Sequence, residues 1–180
     1  SIDSSVLSVH PGLGVGSFER SVPFGPAGLA PSFVKAADLD ADGHEDIVVS
    51  DSSWSTLSFF WGTGGKEMLE SSRLSTGQTG TTPSISDFDG DAAPDFFFPR
   101  QSPPGVQVYL APGLQSSSEA SLTIPTEVAC SSVLAVDLSG DGIPDVAGVS
   151  LTESRLLITL TNKTGEASKQ LSFPTGSLPG

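Results

Sequence analysis

Three short segments carry the residues able to do chemistry. They are Asp38-Leu39-Asp40-Ala41-Asp42-Gly43-His44-Glu45-Asp46, Asp87-Phe88-Asp89-Gly90-Asp91-Ala92-Ala93-Pro94-Asp95 and Asp137-Leu138-Ser139-Gly140-Asp141-Gly142-Ile143-Pro144-Asp145. A hard divalent cation such as calcium takes about six to eight oxygen ligands, and carboxylates at positions 1, 3 and 5 of a tight loop turn inward together, with glycine at position 6 allowing the sharp turn. The first segment meets these demands with Asp38, Asp40 and Asp42, Gly43 at the turn, the backbone carbonyl of His44 at position 7 and Asp46 at position 9. Ala93 and Ile143 hold the seventh position in the other two. An EF-hand is excluded, because its position 12 needs a bidentate Glu, and that place is filled here by Val49, Phe98 or Gly148. The ninth-position aspartate is therefore expected to take that role.

The three loops differ in their defects. The second keeps Asp87, Asp89, Asp91 and Asp95 but has Ala92 where glycine is wanted, a cost of about 1 kcal/mol if φ is positive there. The third keeps Gly142 but has the neutral Ser139 at position 3, leaving Asp137, Asp141 and Asp145. Affinity is expected to fall from the first loop to the third, with up to three Ca2+ bound. The chain has 8 Lys and Arg against 21 Asp and Glu, a net charge of −13, and eleven of those acids are the aspartates of the loops. The rest of the molecule is nearly neutral, so the acidity is concentrated where a cation would offset it. Such a charge argues against a nucleic-acid partner.

The loops are spaced by 49 and 50 residues, and a second pattern keeps the same period. The alternating triplets Leu57/Phe59/Trp61, Val106/Val108/Leu110 and Leu156/Ile158/Leu160 follow the loops in register. Two patterns sharing one period indicate a repeat architecture. With 20 Gly and 14 Pro in 180 residues, the composition is that of strands and turns. The chain is expected to be all-β, with β-propeller-type blades of four antiparallel strands. In the first blade the expected strands run over 31–39, 46–50, 55–61 and 66–74. The second repeats them over 82–88, 95–98, 105–110 and 117–124, and the third over 130–138, 145–149, 155–161 and 166–173. Blade boundaries fall at 26–74, 75–124 and 125–174, with a tail at 175–180.

Residues 1–25 form half a blade: Leu7 and Val9 stand 50 residues ahead of Leu57 and Phe59, and 16–24 reads as an outer strand. About three and a half blades result, where a closed propeller needs at least about four. Either the chain is a piece of a longer polypeptide, or copies pair their ends. No apolar run approaches the roughly 20 residues of a membrane-spanning helix. Ser1 opens the chain without a leader, as a processed secreted protein or an excised piece would. Cys130 is the only cysteine, which rules out an internal disulfide, and is expected to be a buried thiol within a strand.

The loop pattern D-x-D-x-D-G-x-x-D after a strand, followed by a short apolar strand and an outer hairpin, resembles the FG-GAP/VCBS repeats of integrin alpha-chain propellers and many secreted bacterial proteins. Phe24-Gly25-Pro26-Ala27-Gly28 is similar to the Phe-Gly and Gly-Ala-Pro segments that name the repeat. The resemblance spans about residues 5–173. It implies an extracellular, calcium-stabilised module used in adhesion, glycan binding or protein assembly, with the loop residues as ligands. Fold analogy does not transmit a partner.

Trp54 has no aromatic counterpart in the other blades and is a candidate to stack on a sugar ring or a partner. Asn162-Lys163-Thr164 is a glycosylation sequon in a turn. Trp61 and Tyr109 belong to alternating strands and are expected in the core. His10 and His44 lie too far apart in the repeat scheme to form a dyad, and no nucleophile elbow or phosphate loop is present, so catalysis is not expected. The leading expectation is a secreted, non-catalytic module that binds a glycan or an extracellular protein, with calcium as a structural staple. Self-assembly into a ring or filament through open blade edges is one alternative, and an accessory region of a larger secreted enzyme is another.

Overall fold

The computed structural model describes residues 6–26, 30–51, 55–65, 68–76, 82–111 and 121–176. Every regular element among them is a strand, as the Gly- and Pro-punctuated alternation requires. The chain divides into two units, Ser1–Gly80 and Thr81–Gly180. No sheet closes on itself among the described residues.

In the first unit, β1 (Val6–Val9) pairs with β4 (Val22–Pro26), and between them β2 (Gly12–Gly14) and β3 (Ser17–Phe18) form a separate small hairpin. This corrects the single outer strand expected over 16–24. Val15 and Gly16 turn back with positive φ (49° and 79°), so the chain reverses once before it reaches the partner of β1. The first full blade is the sheet β5 (Pro31–Ala37), β6 (Asp46–Asp51), β7 (Thr56–Gly62) and β8 (Met68–Ser75), in that spatial order. Leu7 of β1 packs with Ile47, Val49 and Phe60 on one face of this sheet.

The second unit holds two blades of the same order: β9 (Ser84–Ser86), β10 (Asp95–Arg100), β11 (Gly105–Tyr109) and β12 (Leu122–Pro125), then β13 (Ser132–Val136), β14 (Asp145–Ser150), β15 (Arg155–Thr161) and β16 (Ala167–Pro174). The expected outer strand 117–124 begins outside the described residues. Strand register puts Phe97, Val106, Val108 and Ile124 on one face of the earlier blade. That face packs against Val133, Ala135, Val146 and Leu157 of the later one. Ala135 N–H donates to Ser84 Oγ across the seam at 2.8 Å, and the Gln101 side chain donates to the Cys130 carbonyl at 2.7 Å.

Cys130 is buried in this seam as expected, but lies ahead of β13 and not within a strand. A Cβ on Gly148 would stand 2.4 Å from its sulfur, so glycine at 148 is what admits the thiol. Tyr109 is buried edge-on to Phe98, whereas Trp61 is half-buried and stacked on Phe59 at 5.8 Å. Phe97 is fully buried in the seam, so Phe97→Ala is expected to cost about 3–5 kcal/mol, measured as a lowered denaturant midpoint. A loss below about 1 kcal/mol would contradict this core.

Candidate metal centre

Each acidic loop joins the first strand of a blade to its second, and backbone N–H groups fix its shape. In the first loop Asp38 accepts from Asp42 N–H at 3.2 Å and Gly43 N–H at 2.9 Å, Asp40 accepts from Asp42 N–H at 3.2 Å, and Asp42 accepts from His44 N–H at 2.8 Å. The second loop repeats the pattern. Asp87 accepts from Gly90 at 2.7 Å and Ala92 at 3.1 Å, Asp89 from Asp91 at 3.2 Å, and Asp91 from Ala93 at 2.8 Å. In the third, Asp137 accepts from Gly140 at 2.6 Å and Gly142 at 2.9 Å, and Asp141 accepts from Ile143 at 2.9 Å. The Gly142 and Gly140 N–H groups hold the Asp137 carboxyl below its ordinary range. The Ser139 hydroxyl leans on Asp137 at 3.4 Å.

Two groups of carboxylates converge. Oxygens of Asp38, Asp40 and Asp42 lie within 4.8 Å of one another, and so do those of Asp87, Asp89 and Asp95. Oxygens sharing one calcium at about 2.4 Å can be no more than about 4.8 Å apart, so both groups have the dimensions of a calcium sphere. Among the described residues no such group forms in the third loop, where Ser139 replaces a carboxylate.

The ninth-position aspartates have a further task that their place in the motif does not reveal. Asp46, Asp95 and Asp145 are fully buried. Asp46 accepts from Leu39 N–H at 2.8 Å and from Gly62 N–H at 2.7 Å. Asp95 does the same with Phe88 at 2.7 Å and Ala111 at 2.8 Å. Asp145 accepts from Leu138 and Ser139, both at 2.9 Å, and from Thr161 at 2.9 Å. Each carboxylate thus clamps its own loop to the end of the third strand, through backbone N–H groups of Gly62, Ala111 and Thr161 at equivalent places in the repeat. Burial raises the Asp46 carboxyl, against the pull of the Gly62 and Leu39 N–H groups. The same burial pushes Asp95 up to about 6, against Phe88 and Ala111. Burial also raises Asp89.

Left-handed backbone occurs at two places in every loop, not only at position 6. Position 6 has φ of 88° at Gly43, 73° at Ala92 and 83° at Gly142, and position 4 has 61° at Ala41, 83° at Gly90 and 81° at Gly140. The first loop therefore also carries a strained alanine, contrary to its reading as free of defects, and only the third has glycine at both places. The signal for position 4 was glycine in two of the three copies.

Asn162 caps the β15–β16 turn. Its Oδ1 accepts from Thr164 N–H at 3.0 Å, the Thr164 hydroxyl at 2.7 Å and Glu166 N–H at 2.9 Å, and its Nδ2 donates to the Glu166 carboxylate at 3.0 Å. Trp54 lies outside the described residues.

A family model described as "FG-GAP-like repeat" matches residues 38–98 and again 87–148. Each match begins on the first aspartate of an acidic loop and runs past the next loop. No curated protein matches the chain.

Replacing Ala92 or Ala41 by Gly is expected to raise stability by about 1 kcal/mol each, and Gly142→Ala to lower it by a similar amount. Chemical denaturation of the chelated protein reads this, and no gain from either glycine would refute the strain. In the metal-free chain the Asp95 carboxyl carbon is expected to titrate with a midpoint of about 6. With its folded value raised, the stabilising contribution of Asp95 is complete below the unfolded value of about 3.8 and is lost as pH rises through about 6. A midpoint below 4 in a carbon-detected NMR titration would contradict the burial.

Proposed function

Because the chain belongs to the FG-GAP-like repeat family, we propose that it is a non-catalytic extracellular binding module whose blades are stabilised by calcium in the first two acidic loops. The observation that carries this reading is the recurrence of a three-carboxylate group within 4.8 Å in two successive repeats. Bound calcium would supply positive charge shared among the loop oxygens, lowering the repulsion among the carboxylates. Asp38, Asp40 and Asp42 would hold one ion, with the His44 carbonyl, and Asp87, Asp89 and Asp95 a second, with Asp91 and the Ala93 carbonyl beside it. The third loop is assigned weaker binding, since Asp137 and Asp141 lack a third carboxylate partner at position 3.

The buried clamps Asp46, Asp95 and Asp145 are bonded to backbone N–H groups and hold strands, so we assign them no reaction. A glycan or an extracellular protein is the proposed ligand. No helix among the described residues is long and apolar enough to cross a membrane.

The test is calcium titration of the chelated chain by calorimetry, with thermal unfolding alongside. Two ions per chain are expected, falling to one in Asp40→Asn and in Asp89→Asn. Calcium at about 100 times its dissociation constant should add about 2.7 kcal/mol of stability per site. No heat and no shift of Tm at millimolar calcium would overturn the reading.

A further inference from the structure

The seam of the second unit holds two hydroxyls that the chain itself does not satisfy. Strand register sets Ala135, Val146, Thr159 and Gln170 in one row across the seam face of the later sheet, and Val133, Gly148, Leu157 and Ser172 in the next. Thr159 and Ser172 are therefore diagonal neighbours on adjacent strands, and both face the seam. Thr159 is 0% exposed. The oxygens Thr159 Oγ1 and Ser172 Oγ are both shut off from solvent without a hydrogen-bond partner in the protein, and no other buried side-chain oxygen or nitrogen among the described residues is left so. Native proteins satisfy nearly all such groups.

The repeat itself does not call for a hydroxyl at this place. Thr159 stands opposite Val146 as Tyr109 stands opposite Phe96 and Phe60 opposite Ile47. Exchanging an aromatic ring for a threonine gives up apolar contact and adds a polar atom, and both changes are unfavourable unless the oxygen finds a partner.

The chemistry of that partner is narrow. Each hydroxyl can both donate and accept, so a group that does both serves either one. An ion between Val146 and Leu157 would be costly to desolvate, which leaves a small neutral molecule. Two oxygens bonded to one water lie at most about 5.6 Å apart, twice a bond of about 2.8 Å, a separation that diagonal neighbours of an antiparallel pair can reach. Buried waters typically make about three hydrogen bonds. Gln170 sits beside Thr159 in the same row, and its Nε2 donates across the seam to the Pro125 carbonyl at 2.8 Å, so its Oε1 is the remaining polar atom of the patch.

We propose that Thr159 and Ser172 hold one internal water molecule in the seam, with Gln170 Oε1 as its third partner. The water satisfies both hydroxyls and, through Gln170, links them to the bond that reaches the earlier sheet. The site lies wholly within the unit Thr81–Gly180 and is independent of calcium in the loops.

A high-resolution crystal structure of the unaltered chain tests it without any substitution. One ordered water within about 3.2 Å of both hydroxyl oxygens is expected; a map with no water there, or with a water touching only one of them, overturns the proposal. Chemical denaturation adds a test of sign. With a shared water, Thr159→Val strands the Ser172 hydroxyl, and the ratio of unfolded to folded chain is expected to rise about tenfold, with a similar rise in Ser172→Ala. The double variant removes both ends of the bridge and should cost no more than either single change. Were the two hydroxyls dry, Thr159→Val would delete an unsatisfied polar atom and stabilise the chain. A gain or no change in Thr159→Val, or effects that simply add in the double variant, therefore also overturns the proposal.

Discussion

One buried carboxylate per blade sets the geometry on which the rest depends. Removing an ionised carboxylate from water is expensive unless it is hydrogen-bonded, and each of Asp46, Asp95 and Asp145 meets that demand with backbone N–H groups from two separate elements. Hydrogen bonds to a charged group contribute about 1.5–3 kcal/mol each, and an unsatisfied partner would cost a comparable amount. The clamp therefore fixes three strand ends at once, because the second strand carries the aspartate and the loop and third strand donate to it. At Asp95 burial still outweighs the two donors, since the carboxyl is pushed up to about 6. Asp89 and Asp91 add repulsion there, as Asp40 and Asp42 do at Asp46. A positive charge placed among the loop carboxylates would relieve the same strain that the fold imposes.

Two requirements compete within each nine-residue loop, and no copy satisfies both fully. The backbone wants residues without a Cβ at positions 4 and 6, where φ is positive in all three copies. The cation sphere wants carboxylates at positions 1, 3 and 5. The first two loops keep the carboxylates and accept an alanine in left-handed conformation, at Ala41 and Ala92 respectively. The third has Gly140 and Gly142 but Ser139 in place of an acid. Its Asp137 is well served by backbone N–H groups alone. A loop of that kind holds its shape with little call on an ion, which separates folding of the loop from occupancy of the site.

Much of the fold was legible because the period of about 50 residues appears in two patterns at once. The apolar alternation of Leu57/Phe59, Val106/Val108 and Leu156/Ile158 marks third strands that structure and sequence place alike. The N-terminal hairpin was not legible, since Gly12–Gly14 and Ser17–Phe18 are too short to show any period. Asp46 was read as the ninth-position cation ligand. Its burial and its bond to Gly62 depend on where the third strand ends, and spacing within the loop carries no such information. Asn162 was read as a modification signal, yet its side chain closes the turn after β15 through four hydrogen bonds. The short polar side chain that suits a sequon also suits a turn cap.

The faces of the blades follow a different logic from their ends. In the seam of the second unit, bulky Phe97 of β10 and Phe88 of the second acidic loop meet the smaller Val133 and Ala135 of β13 and Cys130 just ahead of it. Gly148 admits the Cys130 sulfur where any Cβ would collide with it. Large against small lets two twisted sheets approach closely at native packing density. Most of this packing uses side chains within the strands, but Phe88 and Ile143 carry it into the second and third acidic loops. The apolar faces and the acidic loops are thereby joined in this unit through the aspartate clamps and through the loop residues Phe88 and Ile143. A repeat built this way can lose carboxylates from one loop, as at Ser139, and keep its blade-on-blade contact, because the clamp at Asp145 and the apolar face remain intact.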